Sequence, residues 1–193
     1  MSDAYSCFEE LAKHHPEGID FRICVTDRSS PVSILAPHGG KIEPGTSEIA
    51  TAIAGDSHSL YVFEGLMSAN NSVLHITSEK FDEPRARSLV EKSDIAIAVH
   101  GRRDDGGDAT WLGGRDTRLR DAIGASLKQA TFDVALDHNL PGIKPDNICN
   151  RGRRGAGVQL ELPKSLRKEL LQNPSRLQTF AVAVQSGIDQ RKA

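Results

Sequence analysis

Cysteine is scarce in this chain. Cys7, Cys24 and Cys149 are the only three in 193 residues, an odd number at unrelated spacings and without a CxxC pair. That excludes a thiolate zinc site and a disulfide framework, and it points to a reducing compartment. A membrane-length apolar run is missing too, and the opening stretch MSDAYSCFEELAKHHPEG carries acids where an export signal would be basic. The expectation is a soluble protein made without an export signal, cytoplasmic unless lysis releases it. Nor is there a basic excess: 24 Lys and Arg against 26 Asp and Glu leave a net charge of -2, which argues against non-specific nucleic-acid binding. No Walker lysine pattern, no GxGxxG after a strand and no GxSxG elbow occurs, so phosphate-loop, dinucleotide and serine-nucleophile chemistries have no foothold.

What is present is a rhythm. Short apolar, β-branched-rich runs alternate with helical patterns, and the length allows one compact domain burying roughly 70% of its unfolded surface. Strands are expected at FRICVTD, VSILAP, SLYVFEG, SVLHITS, DIAIAVHG, FDVAL and VQLELP. Helices are expected at FEELAKHH, TSEIATAIAG, DEPRARSLVEKS, RDTRLRDAIGASLKQA, KSLRKELLQ and PSRLQTFAVAVQSGI. Pro84 suits a first turn and Asn173 a cap. The fold class this predicts is α/β, a mixed and mostly parallel sheet flanked by helices in three layers, with residues 1–193 as a single domain. The stretch DHNLPGIKPDNICNRGRRGAG reads as a long loop, which is usually functional when ordered.

Two strands end alike, ILAPHGG at His38 and AIAVHGR at His100. In open α/β sheets ligands sit beyond the carboxyl ends of strands, so each imidazole projects into a cleft and the following glycine keeps the backbone clear. Neutral imidazole there is the commonest metal ligand. Glu43 follows His38 by five residues across a Gly-Gly turn, and Glu48 is the other carboxylate within reach. Two histidines, a carboxylate and an open position make the ligand set of a hydrolytic Zn²⁺ site. Glu161 in the alternating strand VQLELP faces away from its apolar neighbours and is the candidate general base.

Each of these residues also has a plain structural reading. A histidine at a strand end is commonly a hydrogen-bonded turn residue, Glu48 would suit a helix N-terminus regardless of metal, and Glu161 would equally fit the exposed side of an edge strand. His75 reads as a structural histidine; His14, His15 and His58 read as surface residues, and His138 as a residue of the long loop. Five of fifteen arginines fall between Arg102 and Arg120, and Arg151, Arg153 and Arg154 form a second cluster. NRGRRG resembles a nucleic-acid tract, but no aromatic residues interleave to stack bases.

The segments APHGGKIEPGTSEIA, LHITSEKFDEPRA, AIAVHGR, GGRD and NICNRGRRGAGVQLELPKSLR, in this order from about Ile34 to Arg167, resemble the zinc-dependent poly-γ-glutamate hydrolase family of bacteriophages and bacteria, whose core is similar to the carboxypeptidase A-like metallopeptidases. The resemblance implies Zn²⁺ held by His38, Glu43 and His100, Glu161 as base, and an anionic polymer, poly-γ-glutamate, as substrate of a single catalytic domain. It also implies that Arg151, after Asn150, meets a substrate carboxylate, with Arg115, Arg153 and Arg154 as alternatives. The ligand motif departs from the HxxE spacing of carboxypeptidase A, which leaves Glu43 and Glu48 both open. The expectation is an endo-acting depolymerase, monomeric, with no nucleic-acid or membrane partner. The competing readings are a zinc amidohydrolase of a small N-acyl or γ-glutamyl amino acid, and a non-catalytic anion- or RNA-binding module built on the NRGRRG loop.

Overall fold

The computed structural model describes residues 3–136 and 140–192. Seven strands form one sheet: β1 Phe21–Thr26, β2 Val32–Gly40, β3 Ser59–Gly65, β4 Ile95–Arg102, β5 Thr110–Gly113, β6 Val134–Leu136 and β7 Val158–Pro163. Their order is β1-β3-β2-β4-β7-β5-β6. Pairing is parallel from β3 through β2 and β4 to β7 and between β5 and β6, and antiparallel at β1–β3 and β5–β7. The central strands run almost wholly apolar because both faces are covered.

Among the described residues six helices do the covering: α1 Phe8–His14, α2 Thr46–Ala54, α3 Pro84–Glu91, α4 Thr117–Gln129, α5 Lys164–Gln172 and α6 Pro174–Lys192. Their ends follow local chemistry. Glu83 accepts from Ala86 N–H ahead of Pro84, Asp116 accepts from Leu119 N–H, and Asn173 accepts from Arg176 N–H. One core joins Ile34, Ile97, Val99 and Leu160 to apolar residues of α2, α4, α5 and α6. The other joins Leu35, Tyr61, Phe63 and Ala96 to α1, α3 and the segment bearing Ile76 and Phe81. The expected mixed, mostly parallel sheet between helical layers is the observed architecture. No described helix is long and apolar enough to cross a membrane.

Three expectations are corrected. SVLHITS is not a strand: Asn71–Leu74 is a 3-10 turn, and the chain then crosses the sheet face with Leu74 and Ile76 buried in the second core. Both sides of β3 are taken, by β1 and β2, so this segment does not continue the sheet beside the strand it follows. Thr110–Gly113 is a strand that the sequence did not announce, too short to show periodicity. His58 is buried instead of lying on the surface. His138 lies outside the described residues.

The strand faces fix the site. Val158, Leu160 and Leu162 enter the first core, so Gln159 and Glu161 point to the opposite face. His100 shares that face with Ala96 and stands opposite Glu161 in register. On β2 the register shifts between Ala36 and Gly39, where three steps of β2 match two of β3. A regular strand would have turned His38 into the first core; the extra residue turns it to the face of Leu35 and His100.

Phe63 is fully buried beneath this face, stacked on Phe21 with centroids 4.9 Å apart. Phe63→Ala is expected to cost about 3–5 kcal/mol in denaturant unfolding. Val25→Ala, at an exposed position of edge strand β1, is expected to change stability by less than about 0.5 kcal/mol. Equal effects would contradict this placement of the second core.

Candidate metal centre and cleft

The turn after β2 is built by two glycines. A Cβ at Gly39 would lie 2.2 Å from Ser47 Oγ, and Gly40 has φ +61 with Gly65 O only 2.6 Å from a Cβ placed there. With the backbone thus folded tightly, Glu43 N–H donates to His38 O at 2.9 Å, and the carboxylate returns to the histidine five residues before it. Glu43 Oε1 lies 3.4 Å from His38 Nδ1, and Oε2 accepts from Gly101 N–H at 2.7 Å and lies 3.9 Å from His100 Nδ1. Glu48 is exposed on α2 and does not join this group.

The two imidazoles present the same atom to each other: His38 Nδ1 and His100 Nδ1 are 3.2 Å apart. Their outer nitrogens are engaged. His38 Nε2–H donates to Ile76 O at 2.7 Å, and His100 Nε2 is hydrogen-bonded to Ser78 Oγ at 3.2 Å. Such partners orient metal-ligating histidines and set their tautomers. Ligands bonded to zinc at about 2.0–2.1 Å in tetrahedral array stand about 3.3 Å from one another, so the 3.2 and 3.4 Å separations match one ion of that size, and the 3.9 Å between His100 and Glu43 would shorten by about half an ångström around it. The donor set, two imidazole nitrogens and a carboxylate, is that of a catalytic site with one position left open.

Electrostatics favour positive charge at this point. Burial would raise the Glu43 pKa, but His38, His100 and the Gly101 N–H together bring it down to about 2. Burial likewise opposes protonation of His38, yet Glu43 and the Ile76 carbonyl prevail and raise its pKa above the ordinary imidazole value. His100 is pushed down to about 3, by burial first and then by charge on His38, and is neutral as a ligand must be.

His75, read from sequence as structural, also belongs here. Its ring stacks on His38 with centroids 4.1 Å apart, Nδ1 is 3.0 Å from Asp3 Oδ1, and Nε2 is 4.0 Å from Glu43 Oε1. His38, Glu43 and His75 present donor atoms all within 4.8 Å of one another, compact enough for an ion. The ring planes separate the two histidine pairs. His38 and His75 differ by only 29°, so their in-plane lone pairs run alongside each other, whereas His38 and His100 are tilted by 49° with nitrogens facing. Convergence on one ion favours His100. Burial and the charge on His38 lower the His75 pKa, and Glu43 and Asp3 oppose that shift.

Glu161 is buried on β7, a central strand and not an edge, and Gln159 Nε2–H donates to its Oε1 at 3.2 Å. Gln159 also accepts from Asn147 Nδ2–H and donates to Leu140 O, which ties this face of β7 to the long loop. These residues line a cleft of about 1660 Å³ that also contains Trp111, Arg102 and Arg167.

Arg115 and Arg151 are not among the cleft-lining residues. Arg115 is exposed, and Arg151 is held by Asp146 through its carbonyl and carboxylate. Arg153 pairs with Asp94 and Arg154 with Asp116, so the charges of NRGRRG are internally matched. Of the two arginine clusters, Arg102 and Arg103 reach the cleft, and Arg167 from α5 joins them. His75 had a signal in its polar neighbours Thr77, Ser78 and Glu79, which fit an active-site wall as well as a structural histidine, whereas Arg167, one helical turn beyond the strand that bears Glu161, carried none.

Comparison with known proteins bears on the family and the fold. A family model described as poly-gamma-glutamate hydrolase matches residues 5–182. The protein YndL of Bacillus subtilis (strain 168) is 41% identical over 172 residues, covering 87% of this chain and 67% of YndL, so the chain spans about two thirds of that relative. A bacteriophage poly-gamma-glutamate hydrolase superposes with a TM-score of 0.93 at 31% identity, over 99% of both chains. A zinc-free apo structure of YndL gives 0.91 at 34% identity, over 100% of both. On the extent of the family match and the identity to YndL, the chain belongs to the poly-gamma-glutamate hydrolase family.

Proposed function

We propose that this chain is a zinc-dependent endo-hydrolase of the γ-glutamyl amide bonds of poly-γ-glutamate, acting as one catalytic domain. The observation that carries the reading is the convergence of His38 Nδ1, His100 Nδ1 and Glu43 within 3.2–3.9 Å, on the strand face that also bears Glu161. The zinc-free state named for YndL supports zinc as the ion. When bound, zinc supplies Lewis acidity to the amide carbonyl and lowers the pKa of the attacking water.

The chain's own groups do the rest. Ile76 O and Ser78 Oγ fix the imidazole orientations, and the Gly101 N–H holds the Glu43 carboxylate in place. Glu161 takes the proton from the attacking water and passes it to the leaving amine, with its carboxylate oriented by the Gln159 amide. A cleft of about 1660 Å³ exceeds the roughly 300–1,000 Å³ usual for small-molecule sites, which favours a polymer over a small N-acyl amino acid. Internal pairing of Arg151, Arg153 and Arg154 disfavours the RNA-binding reading. The cleft offers Arg103, Lys164 and Arg167 to a polyanion in place of Arg115 and Arg151, while Arg102 and Lys144, which also line it, are paired with Asp105 and Glu79.

Chain length of high-molecular-weight poly-γ-glutamate, followed by gel filtration, tests the activity; a zinc-loaded protein that leaves the polymer intact while hydrolysing small amides would replace this reading by the smaller one. His38→Ala and His100→Ala are expected to lose stoichiometric zinc on dialysis, measured by atomic emission. Glu161→Gln is expected to retain zinc while kcat falls by about 10²–10⁴. Retained hydrolysis would move the base elsewhere. Because a proton competes for His38 Nδ1, whose pKa is raised, zinc affinity is expected to fall as pH drops, by up to about tenfold per unit for one displaced proton. Competition titrations between pH 8 and 6 check the sign.

A further inference from the structure

Arg167 lies in the first two turns of α5 with its guanidinium buried against the site. It has no salt-bridge partner within 4 Å among the described residues. Instead Nε–H donates to Leu162 O, Nη1–H to Pro44 O and Nη2–H to Arg102 O. Leu162 follows Glu161, Pro44 follows Glu43, and Arg102 lies two residues beyond His100, so one side chain spans all three segments that carry the chemistry. The carboxylates of Glu43, Asp104 and Glu161 act on it through space, against a burial that lowers its pKa.

A buried guanidinium without an acid in contact is costly, and three carbonyls satisfy only three of its five N–H groups. One N–H on each Nη is left without a protein acceptor among the described residues, and the side chain lines the cleft. Room for it is made by Gly101: a Cβ there would lie 2.6 Å from Arg167 Cζ and 2.8 Å from Nη1. The same Gly101 donates its N–H to Glu43, so the guanidinium sits one peptide away from the metal-side carboxylate.

We propose that Arg167 is the specificity-determining cation of the cleft, binding the free α-carboxylate of the glutamyl residue whose γ-amide is cut. A γ-linked chain carries such a carboxylate at every residue, beside each scissile bond, and a planar two-N–H donor suits it. The proposal rests on the γ-glutamyl hydrolase reading above and adds the group that distinguishes a γ-glutamyl unit from an ordinary amide. A role restricted to clamping the three carbonyls makes a different prediction, because it would be indifferent to the substrate's α-substituent.

The test compares γ-linked glutamate oligomers of defined length with the same oligomers carrying amidated α-carboxylates, on zinc-loaded wild type, Arg167→Met and Arg167→Lys. Wild type is expected to prefer the free acid by about 100-fold or more in kcat/KM, as a site with committed donors does. Arg167→Met is expected to lose most of that preference, and Arg167→Lys to retain an intermediate part, with zinc content and melting temperature reported for each. Variants that slow both substrates equally with the preference intact would overturn the proposal in favour of a clamp, and so would loss of folding or of zinc in both. A wild type that cuts both oligomers alike overturns the proposal and leaves the hydrolase standing; one that cuts neither removes both.

Discussion

Two imidazole nitrogens 3.2 Å apart, each with its other ring nitrogen already engaged, are the constraint on which the rest of this structure depends. That approach is favourable only when something is shared between the two nitrogens, a proton in a hydrogen bond or a metal ion bound by both. Glu43 supplies the opposite charge at 3.4 Å, and its own pKa of about 2 shows how strongly the pocket prefers a cation there. The second layer of Ile76 O, Ser78 Oγ and Gly101 N–H then holds each group at a fixed angle.

The fold delivers that constraint with few parts. Parallel pairing of β2, β4 and β7 brings three carboxyl-end residues to one rim, as open α/β sheets do. Strand alternation would have separated His38 from His100, and the irregularity between Ala36 and Gly39 brings them to one face. Arg167 spans the same rim from α5, so the helix after β7 is coupled to the turns that carry Glu43 and His100. His38, Glu43, His100, Glu161 and Arg167 therefore form one connected rim and not separate attachments to a scaffold.

Much of this was legible in the residues, for identifiable reasons. His38 and His100 stand out because a polar ring ends an apolar strand, and Glu161 because VQLELP alternates cleanly. Glu43 over Glu48 was not decidable from spacing, since the choice rests on the turn that Gly39 and Gly40 permit. The exposed setting imagined for Glu161 failed because β5 pairs on its far side, and β5 is too short to be read. Arg115 and Arg151 stand out in sequence as members of clusters, yet Arg151, Arg153 and Arg154 meet nearby acids and Arg115 is not among the cleft-lining residues, while Arg102, Arg103 and the sequence-isolated Arg167 line the cleft. His75 is hydrogen-bonded to Asp3, as a structural histidine would be, but its place against His38 was hidden because LHITS looks like a strand.

Anomalous diffraction at the zinc edge from crystals soaked in zinc is the most direct measurement of the central claim. The account predicts one strong peak about 2.0–2.2 Å from His38 Nδ1, His100 Nδ1 and a Glu43 carboxylate oxygen, with an open position toward the cleft. A peak ligated through His75 in place of His100, or located away from the strand rim altogether, would contradict it.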